Sequence, residues 1–554
     1  MVRRIVLSVV TFHIVLYLAI SPARAADACN QRFPVTIDNQ TLYNRFCANV
    51  DLETRNESIT RIVVVIQSLP RTASAFSRDL ISEAEAVGAH NVAIIAPWFP
   101  RSTDFDTVIV DENDQPVDVD NDGNVAEAED DGAWIVTDPD DTWEACTGEY
   151  KDDLYYGSNW NAGDESFTGS GESCSRRPFT ISSFRVLDLI LERAVELYPN
   201  ARKSVFITGH SAGGQMVIRY AGFATIPDDV LEQNVQFAPA NPSSFPYLTA
   251  ERPRPPYGQF PITFGVPVAS DCDGSETGQT GFDDYNAWKY GFDGGFNSFR
   301  YLSTFPFSTV DNNYRRRRLL LMNELSDNDD NGSLAKDCEA YLQGGLSRLA
   351  RAESYYQHLI DHFGWQKVVE GSLDWLYTNH GGKHGGTELW STDCGRYALW
   401  GANASQCADR SLFQDNFDID LLRWTQSGAG KVKLSGAHRA EGHFSAEFAG
   451  PATNLTLTSP DILTKGVLTV SWAWWIDSRL DAGESLIAEA SIDGGPWSKL
   501  EQLDGQVDQE NQWIYSGTTV DVTKSLRLRF IANIGSGDEA ARLDAVRVFQ
   551  RRGL

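Results

Sequence analysis

The hydrophobic pattern divides the chain near residue 410. Before that point, short apolar runs typical of buried strands alternate with segments in which apolar residues recur every three or four positions, as on one helix face. Strands are predicted at Ile62–Ile66, Val92–Ala96, Lys203–Ile207, Val235–Ala238, Leu319–Met322 and Val368–Gly371, and helices at Phe76–Val87, Ser183–Leu197 and Gln215–Ala221. This alternation predicts an α/β fold, with a mainly parallel sheet and helices on both faces.

Two long segments, at about 101–178 and 242–314, interrupt the alternation. Long loops in a compact domain are commonly functional or form a cap, so we expect both to shape a substrate cleft. Beyond residue 411, short alternating runs replace the helices, for example Val467–Trp474, Ile487–Ile492 and Leu526–Phe530. The chain is therefore predicted to hold an α/β domain over 26–410 and an antiparallel β-sandwich over 411–554.

Residues 1–25 have the pattern of a secretory signal peptide. Arg3 and Arg4 precede the apolar run Ile5–Ile20, and Ala23–Ala25 is a small-residue cleavage site. A membrane anchor is the alternative, but the run is short and the cleavage site follows it. We expect a secreted or periplasmic protein with no membrane span after cleavage.

Cysteine usage agrees with export. The chain has eight cysteines, all before residue 410, and an even number in an exported chain indicates disulfides. Pairing in chain order would join Cys29 with Cys47, Cys146 with Cys174, Cys272 with Cys338, and Cys394 with Cys407.

Composition narrows the range of partners. The 554 residues include 47 Lys and Arg against 76 Asp and Glu, which gives a net charge of −29. So acidic a surface disfavours nucleic acid and anionic membranes.

The segment Gly209–Gly214 (Gly-His-Ser-Ala-Gly-Gly) suggests a catalytic nucleophile. It places Gly-x-Ser-x-Gly between a predicted strand and a predicted helix. A serine on so tight a turn presents its hydroxyl, and flanking glycines avoid clashes there. The helix N-terminus also favours the negative charge that develops in acyl transfer. Ser211 is therefore the predicted nucleophile, and a purely structural glycine turn is the alternative.

A serine hydroxyl needs a general base to become a useful nucleophile. His384 and His380 both lie in a glycine-rich loop after a predicted strand, where the base of such a site belongs. We favour His384, because a helix-like segment follows it, and keep His380 as the alternative. His358 and His362 lie in a helical stretch that we expect at the surface.

The base needs an orienting acid, which we place in the loop after the strand Leu319–Met322. Asp327 is the favoured residue, with Asp329 and Glu324 as alternatives. Some of these carboxylates belong to a solvated acidic loop.

The chain resembles the α/β-hydrolase superfamily and, more narrowly, its secreted bacterial and fungal members. The resemblance covers roughly residues 55–405 and implies a Ser-His-Asp enzyme that cleaves esters. The matching stretches are Trp160–Asp164, Ile181–Phe184, Gly209–Gln215, Arg219–Ala221, Ala240–Ser244, Tyr285–Gly291 and Gly382–His384.

An oxyanion hole on this fold uses two backbone N–H groups. One belongs to the residue after the serine, here Ala212. The other comes from the loop after the third strand, where Ser68 or Leu69 would supply it. The His-Gly pair common in that loop is replaced by Gln67-Ser68.

Residues 118–129 fit the twelve-position calcium loop of an EF-hand, with glycine at the sixth position. Its predicted ligands are Asp118, Asp120, Asp122, Asn124 and Glu129. A solvated acidic loop is the alternative. A partial repeat of the pattern begins at Asp327, and calcium there would compete with the role of Asp327 as the acid. We expect no cofactor for catalysis.

The C-terminal region resembles jelly-roll modules appended to secreted bacterial enzymes, at Asp415–Phe417, Asp493–Trp497 and Leu543–Val546. Such modules often bind carbohydrate, so a polymer surface is an expected partner. Trp472, Trp474 and Trp475 could form a stacking platform, although Trp472 and Trp474 share one strand face and are better explained as core residues.

Taken together, these features predict a secreted serine hydrolase that cleaves carboxylic esters through an acyl-enzyme. The first alternative uses the same triad as a peptidase or as a depolymerase of a polyester or an esterified polysaccharide. The second is a hydrolase-like protein that binds without catalysis.

Overall fold

Two β-sheets organise the chain. The structure, a computed structural model, describes residues 31–69, 73–100, 151–167, 177–257, 262–296, 299–324, 326–327, 334–369, 372–378, 384–386, 388–402, 411–415, 417, 420–440 and 443–550. Within that part of the chain, no helix has the length and hydrophobicity needed to cross a bilayer. The predicted signal peptide lies outside the described residues.

In the described residues, ten strands precede residue 403, and eight of them form one sheet. The ten are β1 (Gln31–Ile37), β2 (Gln40–Ala48), β3 (Arg61–Ile66), β4 (Val92–Pro97), β5 (Val205–His210), β6 (Val235–Ala240), β7 (Arg252–Pro253), β8 (Phe264–Gly265), β9 (Arg318–Glu324) and β10 (Leu373–Thr378). The sheet has the order β1-β2-β4-β3-β5-β6-β9-β10, and β7 pairs with β8 separately. Within this sheet, the neighbours along β4-β3-β5-β6-β9-β10 pair in parallel, whereas β2 is antiparallel to both of its neighbours. This is the predicted α/β-hydrolase fold.

Helices cover both faces of the sheet, because successive strand side chains point to opposite sides. The helices are α1 (Ala73–Ala86), α2 (Ser183–Leu197), α3 (Ala212–Phe223), α4 (Phe307–Arg316), α5 (Cys338–Tyr341), α6 (Arg348–Phe363), α7 (Gln366–Val369), α8 (Glu388–Ser391) and α9 (Asp393–Trp400). Val63 and Val65 of β3 pack in the cluster with α1, α8 and α9. Ile62 and Val64 pack in the cluster with α2, α3, α4 and α6.

One predicted strand is wrong. Val368 and Val369 belong to the short helix α7, and the strand that pairs with β9 is β10, which begins at Leu373. Two adjacent valines fit one helical turn as well as a strand, so a short apolar run does not decide between them. The N-terminal hairpin of β1 and β2 was not predicted, although Phe33 and Val35 alternate inward as in a half-buried strand.

The second sheet is all antiparallel and folds into the predicted β-sandwich. Its strands are β11 (Ser411–Asp415), β12 (Thr425–Ser435), β13 (Ser445–Thr458), β14 (Ile462–Leu463), β15 (Gly466–Ile476), β16 (Ser485–Ile492), β17 (Trp497–Asp504), β18 (Ile514–Val522), β19 (Ser525–Ile534) and β20 (Ala540–Gln550). Its main path is β17-β16-β19-β13-β20-β15-β18. The predicted domain boundary at 410 falls within 403–410, outside the described residues.

The three tryptophans of β15 do not form a stacking platform. Trp472, Trp474 and Trp475 are 1%, 0% and 2% exposed. Trp472 and Trp474 lie in the apolar core, as their shared strand face predicted. Trp475 points to the opposite face, where the ring of His438 stacks on it at 4.6 Å and Arg542 lies over it at 4.3 Å.

The two sheets are in contact through the segment around α7. A Cβ atom added to Gly517 of β18 would lie 2.3 Å from the indole of Trp365, so that ring rests on the strand backbone. The Arg547 guanidinium of β20 donates to the Val368 carbonyl at 3.1 Å. Phe549 of β20 belongs to the apolar core of the first sheet.

Cys272 and Cys338 form a disulfide, as predicted. It joins the 242–314 segment to the start of α5. Cys47 and Cys394 each belong to a disulfide as well. Cys29 and Cys407, predicted as their partners, lie outside the described residues, as does the predicted pair of Cys146 and Cys174.

Candidate active site

Ser211 lies on a strained turn between β5 and α3. Its φ of 56° and ψ of −114° are rarely adopted by a residue with a side chain. Two backbone hydrogen bonds hold it: Ser211 N–H donates to the Ala240 carbonyl at 2.9 Å, and the Ser211 carbonyl accepts from Gln215 N–H at 2.9 Å. The serine is therefore fixed at the carboxyl end of the central strand and at the N-terminus of α3.

The glycines around Ser211 allow this turn to approach its neighbours. A Cβ atom at Gly213 would lie 2.4 Å from the carbonyl oxygens of Ile66 and Gln67, and one at Gly214 would lie 2.5 Å from the Ala240 carbonyl oxygen. These distances are well inside van der Waals contact. The elbow can therefore sit between β3 and β6 only with glycine at both positions.

Asp327 and His384 are brought together. His384 Nδ1 lies 2.7 Å from Asp327 Oδ2, and the Asp327 side chain is completely buried. The other carboxylate oxygen accepts from Arg348 Nη1 at 3.1 Å. Because each oxygen has a partner, the carboxylate presents a fixed acceptor to the imidazole.

His384 lies beside the elbow. Its ring centroid is 4.5 Å from that of His210, the residue before Ser211, and its side chain is 13% exposed. Since Nδ1 faces Asp327, Nε2 lies on the other side of the ring, as general base catalysis by a histidine requires. His380 and Asp329, the alternative base and acid, lie outside the described residues.

Glu324, the other alternative acid, has a different environment. Its carboxylate accepts from Thr378 Oγ1 at 2.9 Å and from Ser326 Oγ at 3.0 Å. These bonds link the carboxyl ends of β9 and β10 and shape the loop that leads to Asp327. Glu324 is thus placed to support the acid loop.

The two helical histidines are not on an exposed face, contrary to expectation. His358 is buried, and its Nε2 accepts from Leu248 N–H at 3.0 Å. Burial, with Arg252 and His362 nearby, holds the pKa of His358 well below its usual value. His362 is half-buried and pairs with Asp311 at 2.5 Å. Helical periodicity alone did not reveal that the 242–257 segment covers this face of α6.

The proposed oxyanion loop is positioned by Gln67. Its side chain donates to the Phe99 carbonyl at 2.9 Å and accepts from Phe99 N–H at 3.2 Å. The loop thereby stays against the elbow, where Gly213 approaches the Gln67 carbonyl. Ala212 is the first residue of α3, while Ser68 is half-buried and Leu69 exposed at the end of β3.

Sequence reasoning missed two residues that support the site. Arg348, at the start of α6, links Asp327 to Ser243, whose hydroxyl accepts from Arg348 Nε at 3.0 Å. Asn241 has a φ of 44°, and its side-chain oxygen accepts from Glu324 N–H at 2.8 Å. The stretch Ala240–Ser244 is one of those that carry the family resemblance, and its position at the carboxyl end of a strand is the signal that could suggest a role.

Of the two predicted calcium motifs, only the one that begins at Asp327 includes described residues. Residues 118–129, with the predicted ligands Asp118 to Glu129, lie outside the described residues. Calcium binding at the partial repeat that begins at Asp327 is disfavoured, because the two carboxylate oxygens of Asp327 contact Arg348 and His384.

No family model matches the chain, and no curated protein matches it in sequence. Among solved structures it is similar to poly(aspartic acid) hydrolase-1 from Sphingomonas sp. KT-1, with 17% identity over 67% of this chain and 97% of that chain and a TM-score of 0.35. A poly(3-hydroxybutyrate) depolymerase from Bordetella parapertussis has 15% identity over 68% of this chain and 93% of its own, with a TM-score of 0.36. The CBM22-1 xylan-binding domain of Paenibacillus barcinonensis Xyn10C covers 26% of this chain and 98% of its own at 15% identity, with a TM-score of 0.21.

Proposed function

We propose that the protein is a serine hydrolase that cleaves carboxylic esters with Ser211, His384 and Asp327. The observation that carries the proposal is the 2.7 Å contact between Asp327 and His384 beside the strained Ser211 elbow. A histidine oriented by a buried carboxylate next to such a serine is the arrangement that acyl transfer needs.

The proposed reaction has two steps. His384 Nε2 takes the Ser211 hydroxyl proton while Oγ attacks the ester carbonyl, and the same proton then passes to the departing alcohol. Water, deprotonated by His384, next attacks the acyl-enzyme and releases the acid and Ser211. The N–H groups of Ala212 and of Ser68 or Leu69 would bind the oxyanion in both steps. This sequence requires no cofactor.

The decisive experiment is labelling with a fluorophosphonate, followed by peptide mass spectrometry. We expect one adduct on Ser211, and we expect Ser211→Ala to abolish it. Ser183→Ala is the matched control, since Ser183 is also buried but donates to the Trp160 carbonyl at 2.6 Å. A folded protein that remains unlabelled would support the non-catalytic alternative.

Substrate class separates esterase from peptidase and depolymerase. Purified protein should release 4-nitrophenol from short acyl esters and leave anilides of the same acids largely intact. Anilide cleavage at a similar rate would favour the peptidase. Release of monomers from polyester film or from an esterified polysaccharide would identify a depolymerase.

Export, calcium binding and polymer attachment are proposed from sequence patterns alone. A mature N-terminus at Ala26 would support the signal peptide.

If residues 118–129 bind Ca²⁺, adding a chelator should lower the Tm. The double variant Asp120→Asn, Glu129→Gln should have the same Tm with and without the chelator. Retention on insoluble polysaccharide or polyester would support attachment, and failure across a broad panel would exclude it.

A further inference from the structure

Two cationic side chains, Arg219 and Lys289, contact the 3-10 turn that begins at Asn159. Arg219 of α3 is completely buried and donates to Asn161 O at 3.2 Å, Gln215 Oε1 at 3.0 Å and Ser244 Oγ at 2.9 Å. All three acceptors are uncharged. Within the described part of the chain, no carboxylate oxygen lies within 4.0 Å of Arg219 or of Lys289, the second cation.

Lys289 is linked to the proposed oxyanion loop by a short series of contacts. Its Nζ lies 3.4 Å from Asn159 Oδ1, at the start of the 3-10 turn Trp160–Ala162. The Trp160 ring stacks on Phe99 with centroids 5.9 Å apart. Gln67 in turn binds the backbone of Phe99. The ammonium group therefore contacts a turn that packs on Phe99, the residue that Gln67 of the proposed oxyanion loop binds.

Arg219 approaches the site from the nucleophile side. It lies two helical turns after Ser211, but helical side chains lean towards the N-terminus. Its guanidinium accordingly reaches Gln215, one turn of about 5.4 Å from Ser211. Arg219 and Lys289 thus both contact the turn from Asn159 to Ala162, which packs against α3.

The acids near this pair have other partners or lie farther away. Asp337 accepts from the Tyr290 hydroxyl at 2.7 Å and caps α5 through Ala340 N–H at 3.2 Å. Burial and the Arg219 charge lower the pKa of Lys289 to about 8, although Asp337 and Glu339 act in the opposite direction. Lys289 is half-buried and Arg219 fully buried. Withdrawing cations from water without a direct counter-ion is costly, so a bound anion would be stabilised here.

We propose that Lys289, supported by Arg219, binds a carboxylate of the substrate. The enzyme would then prefer esters whose acyl part carries a free carboxylate. The inference rests on the proposed esterase function and specifies its substrate class.

The test compares 4-nitrophenyl hydrogen glutarate with its neutral analogue, 4-nitrophenyl methyl glutarate. Lys289→Met should lower the ratio of their kcat/KM values by roughly 10–100-fold, the effect of losing a charge-assisted hydrogen bond. Lys289→Arg should restore much of the ratio. Lys203→Met removes an exposed lysine at the other end of β5 and should leave the ratio unchanged. Comparing this ratio between variants, after the spontaneous release of 4-nitrophenol has been subtracted, cancels the difference in intrinsic reactivity between the two substrates.

The pH profile adds a readout that a structural role would not alter. In the wild type, the preference should decline above about pH 8, where Lys289 loses its charge. In Lys289→Arg it should persist. An equal ratio in the wild type and Lys289→Met would overturn the inference while leaving the esterase proposal intact.

A second measurement needs only the wild type and does not depend on turnover. At pH 7, glutarate should slow fluorophosphonate labelling of Ser211 more than glutaramide does, and the difference should shrink at pH 9.5. Equal protection by both compounds would contradict the carboxylate site. Absence of labelling would instead contradict the proposed function.

Discussion

At the scale of single residues, the site holds two carboxylates that are equally buried but have different partners. Asp327 and Glu324 are both fully buried at the end of β9. Asp327 contacts His384, whereas Glu324 contacts hydroxyl groups. Chain position could not separate them, because both fall in the acidic loop where the acid belongs.

This difference can be tested by paired substitutions. Asp327→Asn should lower kcat by roughly 10²–10⁴-fold, because the amide no longer stabilises the required histidine tautomer and its positive charge. Glu324→Gln should cost much less activity. Steady-state kinetics on a 4-nitrophenyl ester, with the Tm of each variant, would measure both effects. A larger loss of kcat in folded Glu324→Gln would reverse the assignment.

The burial of His358 leads to a second prediction, about how folding stability depends on pH. Its pKa is lower in the folded protein than the ordinary value of 6.5, so below about pH 6.5 the unfolded chain takes up a proton that the folded chain does not. Folding stability is therefore lost as pH falls through that range, by at most about 1.4 kcal/mol per pH unit.

The measurement is the Tm at pH 7.5 and at pH 5.5. The decrease should be smaller in His358→Gln, in which the amide oxygen can still accept from Leu248 N–H. His362→Gln is the matched control from the same helix. An identical decrease in the wild type and His358→Gln would show that other groups cause the pH dependence.

At the scale of elements, the elbow depends on contact between the β5–α3 turn and the ends of β3 and β6. Gly213→Ala should destabilise the protein by about 1–3 kcal/mol, because its Cβ atom would meet two backbone carbonyls that cannot move independently. Thermal unfolding with Gly436→Ala as the control, where the nearest atom is 3.5 Å away, would measure this cost. Equal Tm values would mean that the elbow can relax.

The sequence predicted the elements with strong local signals. The β5–α3 turn, the buried strands β3, β4, β5, β6 and β9, and the complete span of α2 follow from apolar runs, periodicity and glycine spacing. Helix α7 was missed because a run of two valines has no distinctive period. Arg348 and Asn241 were missed because their partners, Asp327 and Glu324, are known only once the sheet is assembled.

At the scale of the whole molecule, the contact around Trp365 joins the two sheets. Trp365→Ala should loosen this contact, so that the β-sandwich and the α/β sheet unfold in separate thermal transitions. Differential scanning calorimetry would show the change. Trp497→Ala is the control, because Trp497 lies on the edge strand β17 beneath Arg529. Unchanged cooperativity in Trp365→Ala would show that the remaining contacts suffice.

The strained conformation of Ser211 has a consequence for the life of the chain before it is folded. The turn is imposed by β3, β6 and the glycines, and the Asp327–His384 pair joins residues 57 positions apart. None of this exists in a nascent or unfolded polypeptide, whose serine is chemically ordinary. Ser211 would therefore become reactive only when the strands of the sheet have assembled. The time course of its labelling during refolding would then report the rate of that assembly.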